Sequence, residues 1–180
     1  LNPSSHSYCD HPSSDSQCAR LVALAAQICQ VPIALMGVMD GDVLRHSEPQ
    51  CQFFQAVYGC TLTQVPRQVS PCTQTIAARN LFIISDIPAA IRQGYVPRSI
   101  AQHPLMEDPD GMQFYAGVPI FSAGGDILGT LSVFDRQPRQ LTEAQQDGLK
   151  TLAQQISIQI EWCHYQHLAA QERRDRQQAE

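Results

Sequence analysis

Long apolar stretches are missing from this sequence of 180 residues. No segment approaches the roughly 18 consecutive apolar residues that a membrane-spanning helix needs, so we expect no membrane span in this chain. Charge is also scarce, since charged residues make up 16% of the chain and the formal net charge is −5. A chain with this acidic balance is not expected to bind nucleic acid or an anionic membrane. The N-terminus shows no basic stretch followed by an apolar one, so we expect a cytoplasmic protein.

Paired cysteines and catalytic motifs are missing as well. The 7 cysteines are scattered, and no two of them form a C-x-x-C pair. Because metal sites usually take two ligands from one short turn, we expect no metal site and reduced, mostly buried thiols. The sequence also contains no P-loop, no H-E-x-x-H motif and no Ser-His-Asp order. It shows no catalytic machinery, and we do not expect this chain to be an enzyme.

What the sequence does contain is a succession of helical and extended patterns. Apolar residues recur at helical spacing over 15–30 and again from 142 onward. The segment 88–111, here called the excursion, is expected to wrap one face of a sheet with short helical pieces. The pattern predicts an α+β fold with a mostly antiparallel sheet of about five or six strands, the first and last helices on one face and a ligand-type cavity on the other. The predicted strands are 33–40, 52–58, 81–84, 114–121 and 127–134, and a short helix is predicted over 70–79.

The composition divides the chain into three parts. Residues 1–13 are rich in Ser, Pro and His and are expected to form a flexible lead-in. Residues 14–165 contain the predicted domain, and its last helix begins at a capping box formed by Thr142 and Gln145. Residues 166–180 are polar and charged, and we expect them to be the start of a helical linker to an output domain that this sequence does not contain.

Several segments, taken in order, resemble the GAF family over roughly 18–162. The resemblance is carried by Gly111-Met112-Gln113-Phe114-Tyr115-Ala116-Gly117-Val118-Pro119-Ile120, by Gly129-Thr130-Leu131-Ser132-Val133-Phe134-Asp135, and by Pro138-Arg139-Gln140-Leu141-Thr142 before the last helix. It implies a sensory domain from a bacterial-type signalling protein, such as a histidine kinase or a diguanylate cyclase. A domain of this kind binds a small molecule or dimerises, and relays a signal through its C-terminal helix.

The resemblance does not fix the ligand, because one fold serves many functions. Family members that attach a bilin carry a Cys-His pair in the region of the excursion, and residues 87–112 contain no cysteine. Covalent bilin attachment at the usual family position is therefore not expected. Members that bind cyclic nucleotides share an Asn-Lys-Phe-Asp-Glu signature, which this sequence lacks. The identity of a ligand or cofactor stays open.

Four residues besides a cysteine are candidates for the wall of a ligand pocket. Arg67 and Asp86 could hold a ligand carboxylate or phosphate, or they could pair with each other and only fix the loop. Tyr115 and Phe134 lie on the strands that would form the pocket, and either could equally belong to the core. The remaining candidate is Cys72.

Cys72 also carries an alternative function. It lies near the start of a predicted short helix, where helix-end amides favour a reactive thiolate. The free methionine-R-sulfoxide reductases, a branch of the same family, have a cysteine near this place, so a thiol-dependent redox switch or a reductase-like enzyme is the alternative. That reducing cycle needs further cysteines, and residues 73–162 contain none. The other interpretation of Cys72 is a small buried residue that lines the cavity.

The last helix carries two apolar stripes. One of them can cover the sheet, whereas Ile158, Trp162 and Tyr165 lie on a line offset from it. A helix that is apolar on two sides usually has two partners. We therefore predict a homodimer through the first and last helices, in which these residues form the dimer and relay surface. A dimerisation domain without any ligand is a further alternative.

Overall fold

The computed structural model describes residues 12–38, 51–107 and 110–178, which form an antiparallel sheet with helices on both faces. The sheet has six strands in the order β3-β2-β1-β6-β5-β4, and each neighbouring pair is antiparallel. The predicted α+β fold is confirmed. The elements in chain order are α1 (Pro12–Cys29), β1 (Ile33–Val38), β2 (Cys51–Tyr58), β3 (Gln64–Pro66), α2 (Cys72–Ala78), β4 (Phe82–Ile84), α3 (Ile87–Arg92), two 3-10 helices (Arg98–Gln102 and Pro104–Met106), β5 (Phe114–Phe121), β6 (Ile127–Asp135) and α4 (Glu143–Gln178).

The two central strands, β1 and β6, are buried on both sides because both of their faces are covered. Strand β1 is buried along almost its whole length, and so is β6 from Gly129 onward. One face packs against α1 and α4, in a core that includes Val22, Leu149 and Ile156. The opposite face packs against the excursion, through side chains such as Leu35 and Ile100. The predicted placement of the first and last helices on one face is confirmed.

The start of α4 is held by the predicted capping box. The backbone N–H of Gln145 donates to Thr142 Oγ1 at 3.2 Å, and the backbone N–H of Thr142 donates to Gln145 Oε1 at 3.0 Å. The amide nitrogen Nε2 of Gln145 also donates to the carbonyl of Ile28 at 3.1 Å. This last bond joins the first turn of α4 to the end of α1, so the two helices share one anchoring point.

Two local predictions differ from the structure. Helix α1 begins at Pro12, three residues before the helical pattern at 15–30 predicted. Proline is well suited to a first helical turn, where its missing N–H has no intrahelical partner to lose. Strand β3 was not predicted, because Gln64–Pro66 is too short to show alternation. Residues 1–11, and with them most of the predicted lead-in, lie outside the described residues, as do the last two residues of the predicted strand 33–40.

The excursion consists of short helices that cover the second face of the sheet. Helix α3 begins at a side-chain cap, and the two 3-10 helices follow it. Its apolar side chains, such as Val96 and Ile100, are buried against Tyr115 and Phe134 of the sheet. The excursion therefore wraps one face, as predicted. The ligand-type cavity predicted beneath it stays a prediction.

Candidate functional site

Polar side chains gather in the core on the face covered by α2 and the excursion. Polar groups cost free energy when buried unless they are hydrogen-bonded, so such a group of side chains in a core needs an explanation. They come from β2, α2, β5 and β6, and from the residue two positions before α2. We call them the buried polar cluster, and it consists of Gln52, Ser70, Cys72, Thr75, Tyr115, Thr130 and Ser132, all of them nearly inaccessible to solvent.

Gln52 connects two sides of this cluster. Its Nε2 donates to Thr130 Oγ1 at 2.9 Å, and its Oε1 accepts from Ser70 Oγ at 3.0 Å. Ser70 Oγ in turn accepts the backbone N–H of Cys72 at 3.3 Å, at the start of α2. The side chain of Gln52 lies across Gly37, where a Cβ atom would come within 2.1 Å of Nε2. The missing side chain of Gly37 therefore leaves the space that the Gln52 amide occupies.

Cys72 is the first residue of α2 and is almost completely buried. Its Sγ lies 3.8 Å from Ser132 Oγ, within the range of a sulfur hydrogen bond. Ser132 Oγ lies 3.4 Å from the carbonyl oxygen of Leu35, which it can reach as a donor. The thiol is therefore a part of the polar cluster and does not face solvent.

Tyr115 lies at the centre of the cluster. Its Oη is 2.6 Å from Thr75 Oγ1, and its ring meets the ring of Phe134 edge-on, with centroids 5.2 Å apart. Burial raises the pKa of the Tyr115 phenol well above its usual value, and contact with Cys72 raises it further. The phenol therefore keeps its proton at any physiological pH. Gly117 leaves the space that this hydroxyl occupies, since a Cβ there would lie 2.1 Å from Oη.

His103 is a buried histidine that the sequence analysis did not select. Its Nδ1 accepts the backbone N–H of Leu105 at 3.1 Å, which caps the 3-10 helix that begins at Pro104. Its ring centroid lies 5.8 Å from that of Phe134. Burial lowers the pKa of His103 to about 4, so the imidazole is neutral near pH 7. The sequence feature that could have identified His103 is the dipeptide His103-Pro104, because a side chain that can accept a hydrogen bond, followed by proline, is typical of the start of a helix.

The two charged candidates, Arg67 and Asp86, precede helices α2 and α3 in the chain. Asp86 is the N-cap of α3, and its Oδ1 accepts the backbone N–H of Ala89 at 2.8 Å. Arg67 is half-buried and lies between β3 and α2. The structure thus gives Asp86 a structural task within its own turn. Binding of a ligand anion by either side chain stays a prediction.

The buried polar cluster is made of neutral groups only. It combines hydroxyls, a carboxamide, a thiol and a phenol, and most of these are hydrogen-bonded to one another. Such groups can exchange hydrogen bonds with a small uncharged ligand, but they offer no charge to an ionic one. Within residues 12–38, 51–107 and 110–178, no three His, Cys, Asp or Glu side chains come together as a metal site would require.

The dimer and relay candidates lie on the far side of α4. Ile158, Trp162 and Tyr165 are 60%, 58% and 70% exposed, whereas Ile156 and Ile160 of the same helix are buried against the sheet. The two predicted stripes are therefore present, one covered by the sheet and one not. In the part of the chain that the structure describes, no helix is both long and apolar enough to span a membrane.

The family model for the GAF domain matches residues 13–160. This chain belongs to the GAF family. It is 31% identical over 126 residues to a cyclic di-GMP phosphodiesterase of Pseudomonas aeruginosa, a match that covers 70% of this chain and 19% of that protein. The chain therefore spans about a fifth of the length of this relative. The assignment made from the sequence is confirmed, and the predicted role as a sensory domain in signal transduction agrees with it.

Solved structures show the same fold at low sequence identity. The GAF domain of PixJ from Thermosynechococcus elongatus, in its blue-light absorbing form, superposes with a TM-score of 0.66 at 17% identity, covering 91% of this chain and 96% of that one. The free methionine-R-sulfoxide reductase of Neisseria meningitidis, in complex with its substrate, gives a TM-score of 0.64 at 18% identity, covering 88% and 84%. At these identities the two structures support the fold and do not assign a function to this chain.

Proposed function

We propose that this GAF domain is a cytoplasmic, non-catalytic sensory input module that works as a homodimer and passes its signal through α4 to an output domain. The observation that supports this most is the geometry of α4. The helix has 36 residues, which at 1.5 Å per residue is about 54 Å of helix. Only its first half is covered by the sheet, since nearly every residue from 164 to 177 is exposed.

The first half of α4 is hydrogen-bonded to the sheet, and the second half extends beyond it. Ser157 Oγ donates to the carbonyl of Phe121, and Glu161 accepts the backbone N–H of Ala123, so the hairpin between β5 and β6 holds the helix at these positions. Beyond this point the helix continues to Gln178. A polar helix of that length is marginal in water by itself, so its continuation favours a partner helix.

The exposed stripe has the spacing of a helix pair. Ile158, Trp162 and Tyr165 are separated by four and then three residues, which is the spacing of alternate core positions in a coiled coil. Large aromatic side chains of this kind are the usual anchors of protein interfaces. On α1, the other helix of the proposed interface, Leu24 is also an exposed large apolar residue. A second copy of the chain supplies a matching stripe, and the result is a small helical bundle.

Replacing Trp162 with glutamate tests the homodimer. The natural chain is expected to have twice its 19.9 kDa mass in light scattering at tens of micromolar. Trp162→Glu is expected to weaken dimerisation by roughly thirtyfold or more, since it buries a charge in place of an anchor. Gln171→Glu adds the same charge to an exposed position nine residues after Trp162, on the opposite side of the helix at 3.6 residues per turn, and is the matched control. A natural chain that is monomeric at this concentration, or a Trp162→Glu chain that dimerises like Gln171→Glu, contradicts the proposal.

The output domain and the ligand remain proposals. The sequence analysis expected a histidine kinase or a diguanylate cyclase as the output domain. The Pseudomonas aeruginosa relative adds a third candidate, a cyclic di-GMP phosphodiesterase. That relative's phosphodiesterase activity is not assigned to this chain, which covers 19% of it. The neutral character of the buried polar cluster favours a small uncharged ligand between the sheet and the excursion.

A thiol-dependent function centred on Cys72 is the second candidate. Its thiol contacts Ser132 and Tyr115 inside the polar cluster, and a reductase shares the fold. Against it, the thiol is almost fully buried and residues 73–162 contain no second cysteine. A buried thiol reacts only through local opening of the structure. The role of a small core residue is therefore favoured for Cys72.

Alkylation rates separate the two roles of Cys72. We expect iodoacetamide to label the half-buried thiols of Cys51, Cys60 and Cys163 at least roughly tenfold faster than Cys72, because Cys72 must wait for an opening step. Cys29 is the internal reference for an inert thiol, since burial raises its pKa to about 11 against a smaller lowering by Arg139. Mass spectrometry of the peptides measures each rate. If Cys72 is the first thiol to react, the redox function is favoured.

A further inference from the structure

A closed ring of hydrogen bonds joins the residues that flank the excursion on both sides to the loop that precedes α4. On one side, the backbone N–H of Ile87 donates to the carbonyl of Gln113 at 2.7 Å, and the N–H of Gln113 donates to the carbonyl of Asp135 at 2.8 Å. On the other side, the Asp135 carboxylate accepts from Arg139 Nε, and the N–H of Arg139 donates to the carbonyl of Ser85 at 3.0 Å. Ser85 lies two residues before Ile87, which closes the ring.

Arg139 contributes to the ring twice, through its backbone and through its side chain. Its ion pair with Asp135 is sheltered, because the Asp135 side chain is 8% exposed and that of Arg139 is 32% exposed. A sheltered, charge-assisted bond of this kind is stronger and more directional than a surface ion pair. Arg139 also lies three residues before Thr142, the residue that caps α4. A displacement of Arg139 therefore reaches the first turn of α4 directly.

The same turn is attached to α1. Gln145 forms the capping box with Thr142 and also donates to the carbonyl of Ile28. Both helices that would form the dimer are thus connected to the ring within a few residues. By contrast, the excursion meets the sheet through apolar side chains such as Ile100, whose packing can change without breaking a covalent or ionic link.

We infer that this ring, with Arg139 as its positioning residue, is the mechanical connection through which a rearrangement of the excursion reaches α4 and α1. The inference rests on the proposed relay function and adds its internal route. Coupling between two parts of a protein requires a physical element that both parts bias. Here that element is the intact ring. Ser85, Ile87 and Gln113 flank the excursion, whereas Arg139 belongs to the loop before α4, so a change on either side alters the same set of bonds.

Hydrogen–deuterium exchange of the full chain tests the route. Ile100→Ala perturbs the excursion from its buried centre, far from α4 in sequence, and is expected to speed exchange of amides within 88–106 by roughly tenfold or more. If the ring transmits the change, amides 145–149 of α4 exchange roughly threefold faster as well. With Arg139→Ala added, the effect of Ile100→Ala on α4 is expected to disappear while its effect on the excursion remains.

Matched variants make the outcome specific to the ring. Gln140→Ala shortens an exposed side chain of the same loop, next to Arg139, and is expected to leave the transmission intact. Arg136 is not a suitable control, because its Nη1 donates to the carbonyl of Asp110 in the excursion at 3.5 Å. Should Arg139→Ala fail to fold, Asp135→Asn removes the ion pair while keeping the backbone bond from Gln113, and the same result is expected of it. Two results overturn the inference: no effect of Ile100→Ala on α4 in the natural background, or an undiminished effect without the ion pair. Hydrogen–deuterium exchange detects the coupling within a single chain, so the coupling can be present even if the chain is a monomer. The homodimer proposal and the ring proposal can therefore fail independently.

Discussion

Gly129→Ala is expected to lower the free energy of unfolding by about 3 kcal/mol or more, because overpacking the centre of a sheet costs 1–3 kcal/mol and backbone collisions cost more. A Cβ at this position would lie 2.0 Å from the carbonyl oxygen of Gly37 and 3.1 Å from the Cα of Val38. These are backbone atoms of β1, paired with β6 in the middle of the sheet. They cannot turn away as a side chain would, so two central strands must separate. Urea denaturation of the natural and variant chains measures the difference.

Gly124→Ala is the control for this substitution. Gly124 lies in the turn between β5 and β6, and a Cβ there would have Ser122 Oγ at 3.7 Å as its nearest neighbour, which is ordinary contact. Its stability is expected to stay within about 0.5 kcal/mol of the natural chain, as for most surface substitutions. Equal losses from the two glycines would show that the sheet adjusts at Gly129, and the close approach of β1 and β6 would then carry no cost.

The glycines illustrate what one sequence can predict. Gly117 and Gly129 interrupt apolar strands, where a glycine indicates a close backbone approach or a bulge, and the structure shows the backbone approach at Gly129 but not at Gly117. The sequence could not name what approaches them. At Gly129 it is the backbone of another strand, whereas at Gly117 it is the hydroxyl of Tyr115 and the side chain of Thr75. The pairing register of β1 and β6 brings these atoms together at Gly129, and the packing of α2 on β5 does so at Gly117. Both arrangements are properties of the whole fold.

The buried polar cluster was out of reach for a related reason. Gln52 and Thr130 are 78 residues apart, and Thr75 and Tyr115 are 40 apart. Tyr115 and Cys72 were selected from the sequence as pocket candidates, but Gln52, Thr75 and Thr130 look like ordinary polar residues of a strand or helix, since local pattern does not tell which polar residues are buried. The exposed stripe on α4 was predicted because its spacing is contained within one helix. Local periodicity is readable from one chain, whereas contacts between distant segments are not.

Acidification is expected to destabilise this domain through His103 by about 3 kcal/mol between pH 7 and pH 4, because the shift is about 2.5 pKa units and one unit is worth 1.36 kcal/mol. Burial lowers the pKa of His103 from 6.5 to about 4. Above pH 6.5 the imidazole is neutral in both states and contributes no pH dependence. As the pH falls from 6.5 to 4, the unfolded chain takes up a proton that the folded chain does not, so unfolding becomes more favourable.

His103→Asn isolates this contribution from the carboxylates that titrate over the same range. The Asn side-chain oxygen can accept the Leu105 N–H in place of Nδ1, so the start of the 3-10 helix keeps a capping acceptor while the titrating group is lost. The smaller side chain loses contact with Phe134, so the variant is expected to be less stable at pH 7. Its loss of stability on going to pH 4 should nevertheless be smaller than that of the natural chain by about 3 kcal/mol, since only the natural chain carries the histidine term. Urea unfolding at several pH values measures both curves. Parallel curves would mean that His103 has the same pKa in the folded and the unfolded chain, and the lowering of this pKa by burial would be wrong.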